Sequence, residues 1–378
     1  MNRIVNFFKR ITYKQMILYL VIGICFVTSV VFVHHNSSFY NRTIAKVVTT
    51  HIEDQTVVTD LHNNEDQIFT QTIEAVIENG EDKGKVIQLT NKYSLSGAYD
   101  QEYRVGNKLF VSVDQLANEN GEVTGDILDV KRDSYVLLVG WLFIFTLLLV
   151  GKRRGFFSMI SLAVNATLMY VALDVYVNHD INLLWICSLL VILFTVISLL
   201  LLNGLNEMTY AAITATLLGI FLSLFITFVV VKATSGSGLR YEEMQFLTRH
   251  YEAIFMAGLF IGSLGAVMDI AITISSSIFG LYEKNPTIRA KDLTKSGMAI
   301  GKDVMGTLTN ILFFVYASGS IPSMILYLKN SSALGFTVSM NISLELARAL
   351  AGGIGIVLTI PIAVYTSVFF VNRKRNRL

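Results

Sequence analysis

Eight continuously apolar runs recur along the chain, at 15–33, 134–150, 156–177, 182–202, 208–231, 253–275, 304–327 and 346–371. A helix needs roughly 17–25 residues to cross a hydrocarbon core of about 30 Å, and most of these runs are that long. None alternates polar with apolar, as the strands of a membrane barrel would. The shortest run, 134–150, is framed by Lys131 and Arg132 before it and by Lys152, Arg153 and Arg154 after it. The pattern predicts a polytopic α-helical membrane protein with about eight transmembrane helices.

Residues 34–133 follow a different pattern. They hold no run long enough to span, and Phe69, Ile73, Ala75 and Ile77 alternate onto one face. A turn over 78–84 follows, and further strands are expected at 43–50, 85–91, 108–113 and 123–130, with turn residues at Gly106-Asn107 and Asn120-Gly121. A small β-barrel-like domain, closed or half-open and of the oligonucleotide-fold or SH3-like kind, would bury these faces and limit free edges. Three segments result: 1–33, a cytoplasmic N-terminus and first anchor; 34–133, an extracytoplasmic β-rich domain; and 134–378, a seven-helix membrane domain ending in the cytoplasm.

Composition agrees with this division. Hydrophobic residues make up 53% of the chain and charged ones 15%, with three prolines and a mean hydropathy of +0.56. Ordinary soluble domains are about 25% charged. Lysine and arginine placement gives orientation. With eight crossings, sixteen basic residues fall on the side of Arg3, Lys9, Arg10 and Lys14, against four in the opposite loops at 232–251 and 328–345. Both termini are therefore expected inside. The first run lacks a small-residue cleavage site and reads as an uncleaved anchor. Residues 34–133 carry seventeen acidic and nine basic side chains, which argues against nucleic acid as a partner. His34, His35, His51 and His62 have no metal-ligand spacing, so neither metal nor cofactor is expected. Cys25 and Cys187 lie within apolar runs and read as buried thiols. The outer loop residues Tyr241, Glu242, Glu243, Phe246 and Leu247 suit a short amphipathic helix that caps the bundle.

Ionisable residues inside a span are costly and mark function by default. In the sixth run Gly258, Gly262, Ala266, Asp269, Thr273 and Ser276 recur at three- and four-residue steps, which puts them on one face. Gly258 and Gly262 would let another helix approach closely, and Asp269 is expected to face neighbouring helices or a wet cavity. Asp303, Gly306, Thr307 and Asn310 share a face of the seventh run, preceded by 296–301, which reads as a helix start or a re-entrant turn. Glu345 and Arg348 stand three apart near the outer end of the eighth and can pair. Pro361 further along removes one helical hydrogen bond. The candidate polar site is thus Asp269, Thr273, Ser276, Asp303, Thr307, Asn310, Glu345 and Arg348. The bland reading of its serines, threonines and glycines is helix packing; Asp174, in the third run, is a weaker candidate, and Asn165 deeper in that run reads as an interhelical hydrogen bond. There is no phosphate loop, nucleophile elbow or zinc helix, so no enzyme activity is expected.

The stretch 262–271, running on to Ile274-Ser275-Ser276, resembles the signature of the YibE/F-like family. So do Asn285-Pro286, Ser296-Gly297-Met298, Gly301-Lys302-Asp303, Met305-Gly306-Thr307 with Asn310, and the late Gly352-Gly353-Ile354-Gly355 ending in Pro361. Residues 34–133, including Leu128-Asp129-Val130 before Lys131-Arg132-Asp133, are similar to the N-terminal region of longer members. Lys302 and Ile311 depart from the pattern, standing where arginine and a small polar residue are expected. The resemblance implies a multi-pass bacterial membrane protein of undefined activity, with a homologous membrane subunit as a partner besides the lipid bilayer. Two functions compete: a secondary transporter or permease of unknown substrate centred on Asp269, and a non-transporting scaffold or assembly factor whose outer β domain binds a cell-envelope partner.

Overall fold

The computed structural model describes residues 13–97, 100–114, 123–179, 181–244 and 250–377. Arg3, Lys9 and Arg10, the Asn120-Gly121 turn and the Phe246-Leu247 pair lie outside them. Two compact units divide the chain, Met1–Thr146 and Leu147–Leu378.

The first unit opens with helix α1 (Tyr13–His35) and continues into five strands: β1 (Thr43–Thr59), β2 (Glu65–Ile77), β3 (Val86–Ser94), β4 (Lys108–Val113) and β5 (Val123–Val130). They form a small sheet in the order β1-β2-β3-β5-β4, with β4 pairing back to β1 over 43–46. All pairs are antiparallel except β3 with β5, joined through 87–89 and 123–125. The alternating face read from sequence is the core. Ile73, Ala75 and Ile77 are buried with Ala45, Val47, Ile87, Leu89, Leu109 and Val111, while Phe69 is half-buried and stacks on Tyr93.

A polar network holds the open end of this sheet to the end of α1. Asn79 is buried and makes four hydrogen bonds: its Oδ1 accepts from Ile44 N at 2.6 Å, and its Nδ2 donates to the carbonyls of Ser37, Tyr40 and Arg42. Lys131, 6% exposed, pairs with Asp133 at 2.7 Å and donates to the carbonyl of Val33. Lys108 pairs with Glu78 at 2.6 Å and donates to the carbonyl of His34. Two lysines thus satisfy carbonyls that the last turn of α1 leaves open. Burial alone would raise the Glu78 carboxyl, but hydrogen bonds from Lys108 and Ser37 and the lysine charge outweigh it and hold it below its usual range. Trp141 donates to Ser29 Oγ at 2.8 Å, and Phe26 packs edge-on against Trp141 and Phe145. These contacts bind α1 to the start of α2 (Asp133–Asn178).

Helix α2 carries two of the expected apolar runs in one element of 46 residues. Lys152 breaks it, with φ 48° and ψ −122°. A Cβ built on Gly155 would collide with the Leu147 carbonyl, although eight residues of unbroken helix would separate these two by about 12 Å. The chain therefore doubles back at the basic cluster 152–154. This is why seven helices, rather than eight, are long and apolar enough to cross a membrane among the described residues.

The second unit continues with α3 (Leu183–Asn203), α4 (Glu207–Ala233), α5 (Tyr251–Lys284), α6 (Ala290–Lys329) and α7 (Leu334–Arg375). Helix α7 packs against α4, α5 and α6. Polar residues in the runs cross-link helices: Asn165 and Ser161 both donate to Ser198 Oγ at 2.9 Å, and Ser367 donates to Ser275. That is the packing role expected of Asn165 and Ser275. Two expectations change. Helix α6 begins at Ala290 and runs unbroken through Gly297 and Gly301, so 296–301 is helix interior and not a re-entrant turn. Both glycines are buried, where Ile278, Val364 and Ile360 leave no room for a side chain. Cys187 is buried, but Cys25 is exposed on its helix surface rather than packed.

Candidate functional site

Helices α5, α6 and α7 hold the side chains singled out from the sequence. One side of α5 is a buried apolar stripe that includes Leu259, Phe260, Val267, Ile270, Ile274 and Ile278. The other is the polar stripe, with Gly258, Gly262, Gly265, Asp269 and Ser276 exposed and Thr273 half-buried. The face expected to turn towards neighbouring helices is therefore open. The reason is that the broader apolar side of the same helix takes the interior. Asp269 makes no hydrogen bond or ion pair with any described residue.

Helix α6 presents a similar face. Lys302, Asp303, Gly306, Thr307 and Asn310 are all exposed. Only 11% of its most apolar window is buried, against 50% for α5 and α7, so this window of α6 is the least covered of the three. The two helices run antiparallel, with Gly297 beside Ile278, Gly301 beside Ile274 and Gly262 beside the Tyr316 hydroxyl. Interpolation along these pairs sets Asp269 level with Gly306 and Thr307. Gly265 and Gly306, like Gly280 and Gly319 on the same two helices, differ from Gly262, Gly297 and Gly301. A Cβ on either would meet nothing within 4 Å, so close packing does not account for them.

Glu345 and Arg348 form the expected ion pair on α7, with side chains 19% and 18% exposed. The Arg348 guanidinium also sits 5.5 Å from the Phe255 ring centre. Tyr316 lies within the field of both charges, and its hydroxyl is buried without a hydrogen-bond partner among the described residues. The structure therefore separates the predicted site into two groups. Glu345, Arg348 and Tyr316 cluster near Gly258 and Gly262, about 10–17 Å along α5 from Asp269. Asp269, Thr273, Ser276, Asp303, Thr307 and Asn310 occupy the open faces. Asn310 also lines an apolar cavity of ≈ 460 Å³ between α6 and α7. Ser276 lines a polar one of ≈ 430 Å³ with Arg154, Glu207, Glu283 and Lys374. Tyr316 was not legible beforehand, because a tyrosine in an apolar run reads as packing. Among the described residues no group of three His, Cys, Asp or Glu side chains converges to hold a metal.

Comparison with family models adds what the geometry lacks. Residues 139–373 match the model of the YibE/F-like protein, and residues 38–130 match that of the YibE/F family N-terminal domain. The chain belongs to the YibE/F-like family. The two matches meet the helical region and the sheet in turn, and every predicted site residue falls in the first. Comparison with curated proteins and with solved structures gave no match.

Proposed function

We propose that this family member is a multi-pass protein of the cell membrane that moves a small polar or charged solute along the α5–α6 face. Both termini lie in the cytoplasm in this reading and the five-stranded domain outside it. The break at Lys152 supports it, because it turns seven helices into eight crossings and keeps the basic residues on one side. The ring of strand pairings supports a small barrel of the oligonucleotide-fold kind.

One observation carries the transport reading: Asp269 stands at mid-helix with no partner among the described residues, on a face that glycines keep open. A carboxylate turned to lipid at the helix centre costs about 2.5–3.5 kcal/mol on insertion scales, so such residues face water or protein. Gly265 and Gly306 leave room for a solute at that level, and Thr273, Thr307 and Asn310 supply hydroxyl and amide groups along it. The scaffold reading has its own support in the polar network that fixes the sheet to α1.

A thiol-accessibility experiment tests the transport reading. In a variant with Cys25 and Cys187 replaced by serine, Thr273→Cys should react with a membrane-impermeant thiol reagent in sealed vesicles. In proteoliposomes, Asp269→Asn should abolish proton or small-cation flux that the parent protein supports. An unreactive Cys at 273, together with equal flux in both proteins, would sink the reading.

A further inference from the structure

Strand β1 is far longer than its neighbours need. Its first residues pair with β4 only as far as 43–46, and the Val47 backbone still bonds to Gly106 and Asn107. Beyond Val47, β1 pairs with β2 alone up to Thr59. On the other side, β2 is covered by β3 from Ile68 to Val76. The distal part of β1, with its turn to β2, is thus an edge ribbon: it pairs with β2 on one side and, among the described residues, is free on the other over 48–59. Every residue from His51 to Asp60 is exposed, although the β2 residues that pair with them are half-buried or buried as far as Asp66. An open edge is a template for a further strand.

The ribbon also displays apolar side chains. Ile52 is 56% exposed, Val57 63% and Leu61, in the connecting turn, 99%. Around them the charge has a single sign. Residues 51–67 hold Glu53, Asp54, Asp60, Glu65 and Asp66, and no lysine or arginine. Register shifts beside Val48 and Glu53 add bulges to the same edge, a feature that hinders indiscriminate pairing.

We propose that the free edge of β1 over 48–59 docks an extended basic segment of another protein, which adds to the ribbon as a further strand. Backbone N–H and C=O groups of the edge supply the pairing, and Ile52 and Val57 receive alternate apolar side chains. The five carboxylates select lysine or arginine in the incoming strand. A second copy of this chain is disfavoured, since two such ribbons would set carboxylates against carboxylates. An anionic lipid surface is disfavoured for the same reason. The proposal names the element and partner chemistry of the outer domain and stands apart from transport, so Asp269→Asn should leave it intact.

The test uses the full chain in neutral detergent and three synthetic peptides: alternating lysine–valine, alternating glutamate–valine, and alternating lysine–proline. The lysine–valine peptide should bind at least about tenfold more tightly than the other two and slow amide exchange within 48–59. The triple variant Glu53→Lys, Asp54→Lys, Asp60→Lys should reverse the preference between lysine and glutamate peptides by a similar factor. Unchanged exchange at Ile73 and Leu89 would show that its sheet is intact. The proposal is overturned if lysine–proline binds as well as lysine–valine, since charge alone would then suffice. It is equally overturned if protection appears outside the ribbon, or if the triple variant keeps the parent preference. Dimerisation of the parent through the ribbon, or its capture by phosphatidylglycerol vesicles in a ribbon-dependent way, would also replace it.

Discussion

The base of the sheet and the α5–α6 face both place polar groups among apolar ones, and they treat them in opposite ways. At the base, Asn79 makes four hydrogen bonds, and Glu78, Lys108, Lys131 and Asp133 are all paired. On the α5–α6 face, Asp269 has no partner and Gly265 and Gly306 have no neighbour to accommodate among the described residues. A satisfied buried network fixes one arrangement of the chain. An unsatisfied charge on an open face leaves its interaction energy for something outside the chain. The difference separates a part built for position from a part built for contact.

The sharpest way to break that contrast is at Asn79. Asn79→Leu removes four hydrogen bonds, one from the Ile44 N–H and one to each of three carbonyls, which should cost about 3 kcal/mol. Hydrogen exchange at the β1 and β2 amides of the full-length protein would report it. Asp269→Leu should leave the unfolding midpoint of the helical region unchanged or raised. Comparable losses in the two variants would erase the distinction.

Glycines give the next effect, with opposite signs expected in one helix. Gly301→Ala puts a methyl group against Ile360 and Ile274 and should destabilise by ~1–3 kcal/mol. Gly306→Ala meets nothing within 4 Å and should stabilise the helix by ~0.5–1 kcal/mol. Thermal unfolding in detergent measures both. If Gly306→Ala is as damaging as Gly301→Ala, something covers the α6 face.

The smallest effect concerns Glu78. Its folded pKa lies below the unfolded value, so its contribution is fully present above the unfolded carboxylate range near 4.3 and is lost as pH falls through the folded value. Because the pair is partly exposed, that contribution is ~1 kcal/mol or less. Exchange at the Ile44 amide should accelerate in that acidic window in the parent protein, and Glu78→Gln should flatten the response.

How far the sequence could be read follows from which signals are local. The runs at 182–202 and 208–231 became α3 and α4 nearly as drawn, since a long apolar run has few alternatives to a helix. Strand β1 was expected to end at residue 50, yet it runs to Thr59. Beyond 50 both of its faces are exposed, and alternation, the only strand signal used, has nothing to mark. Helix α6 starts at Ala290 rather than near 304, because its first turns are amphipathic and rich in lysine. Asn79 was read as a turn residue beside Gly80. Its partners at Ser37, Tyr40 and Arg42 lie about forty residues earlier, and no spacing rule connects them.

The sequence by itself determined the two kinds of region, the helical runs, the buried face of β2 and the family. It did so because hydrophobic periodicity is written residue by residue and survives without knowledge of neighbours. Only the tertiary structure decided that β3 pairs in parallel with β5, that Glu345, Arg348 and Tyr316 cluster apart from Asp269, and that the Asp269 stripe faces outward. Each of these depends on which of two available faces wins the interior. That choice is set by the summed burial of the whole bundle, and no single helix contains it.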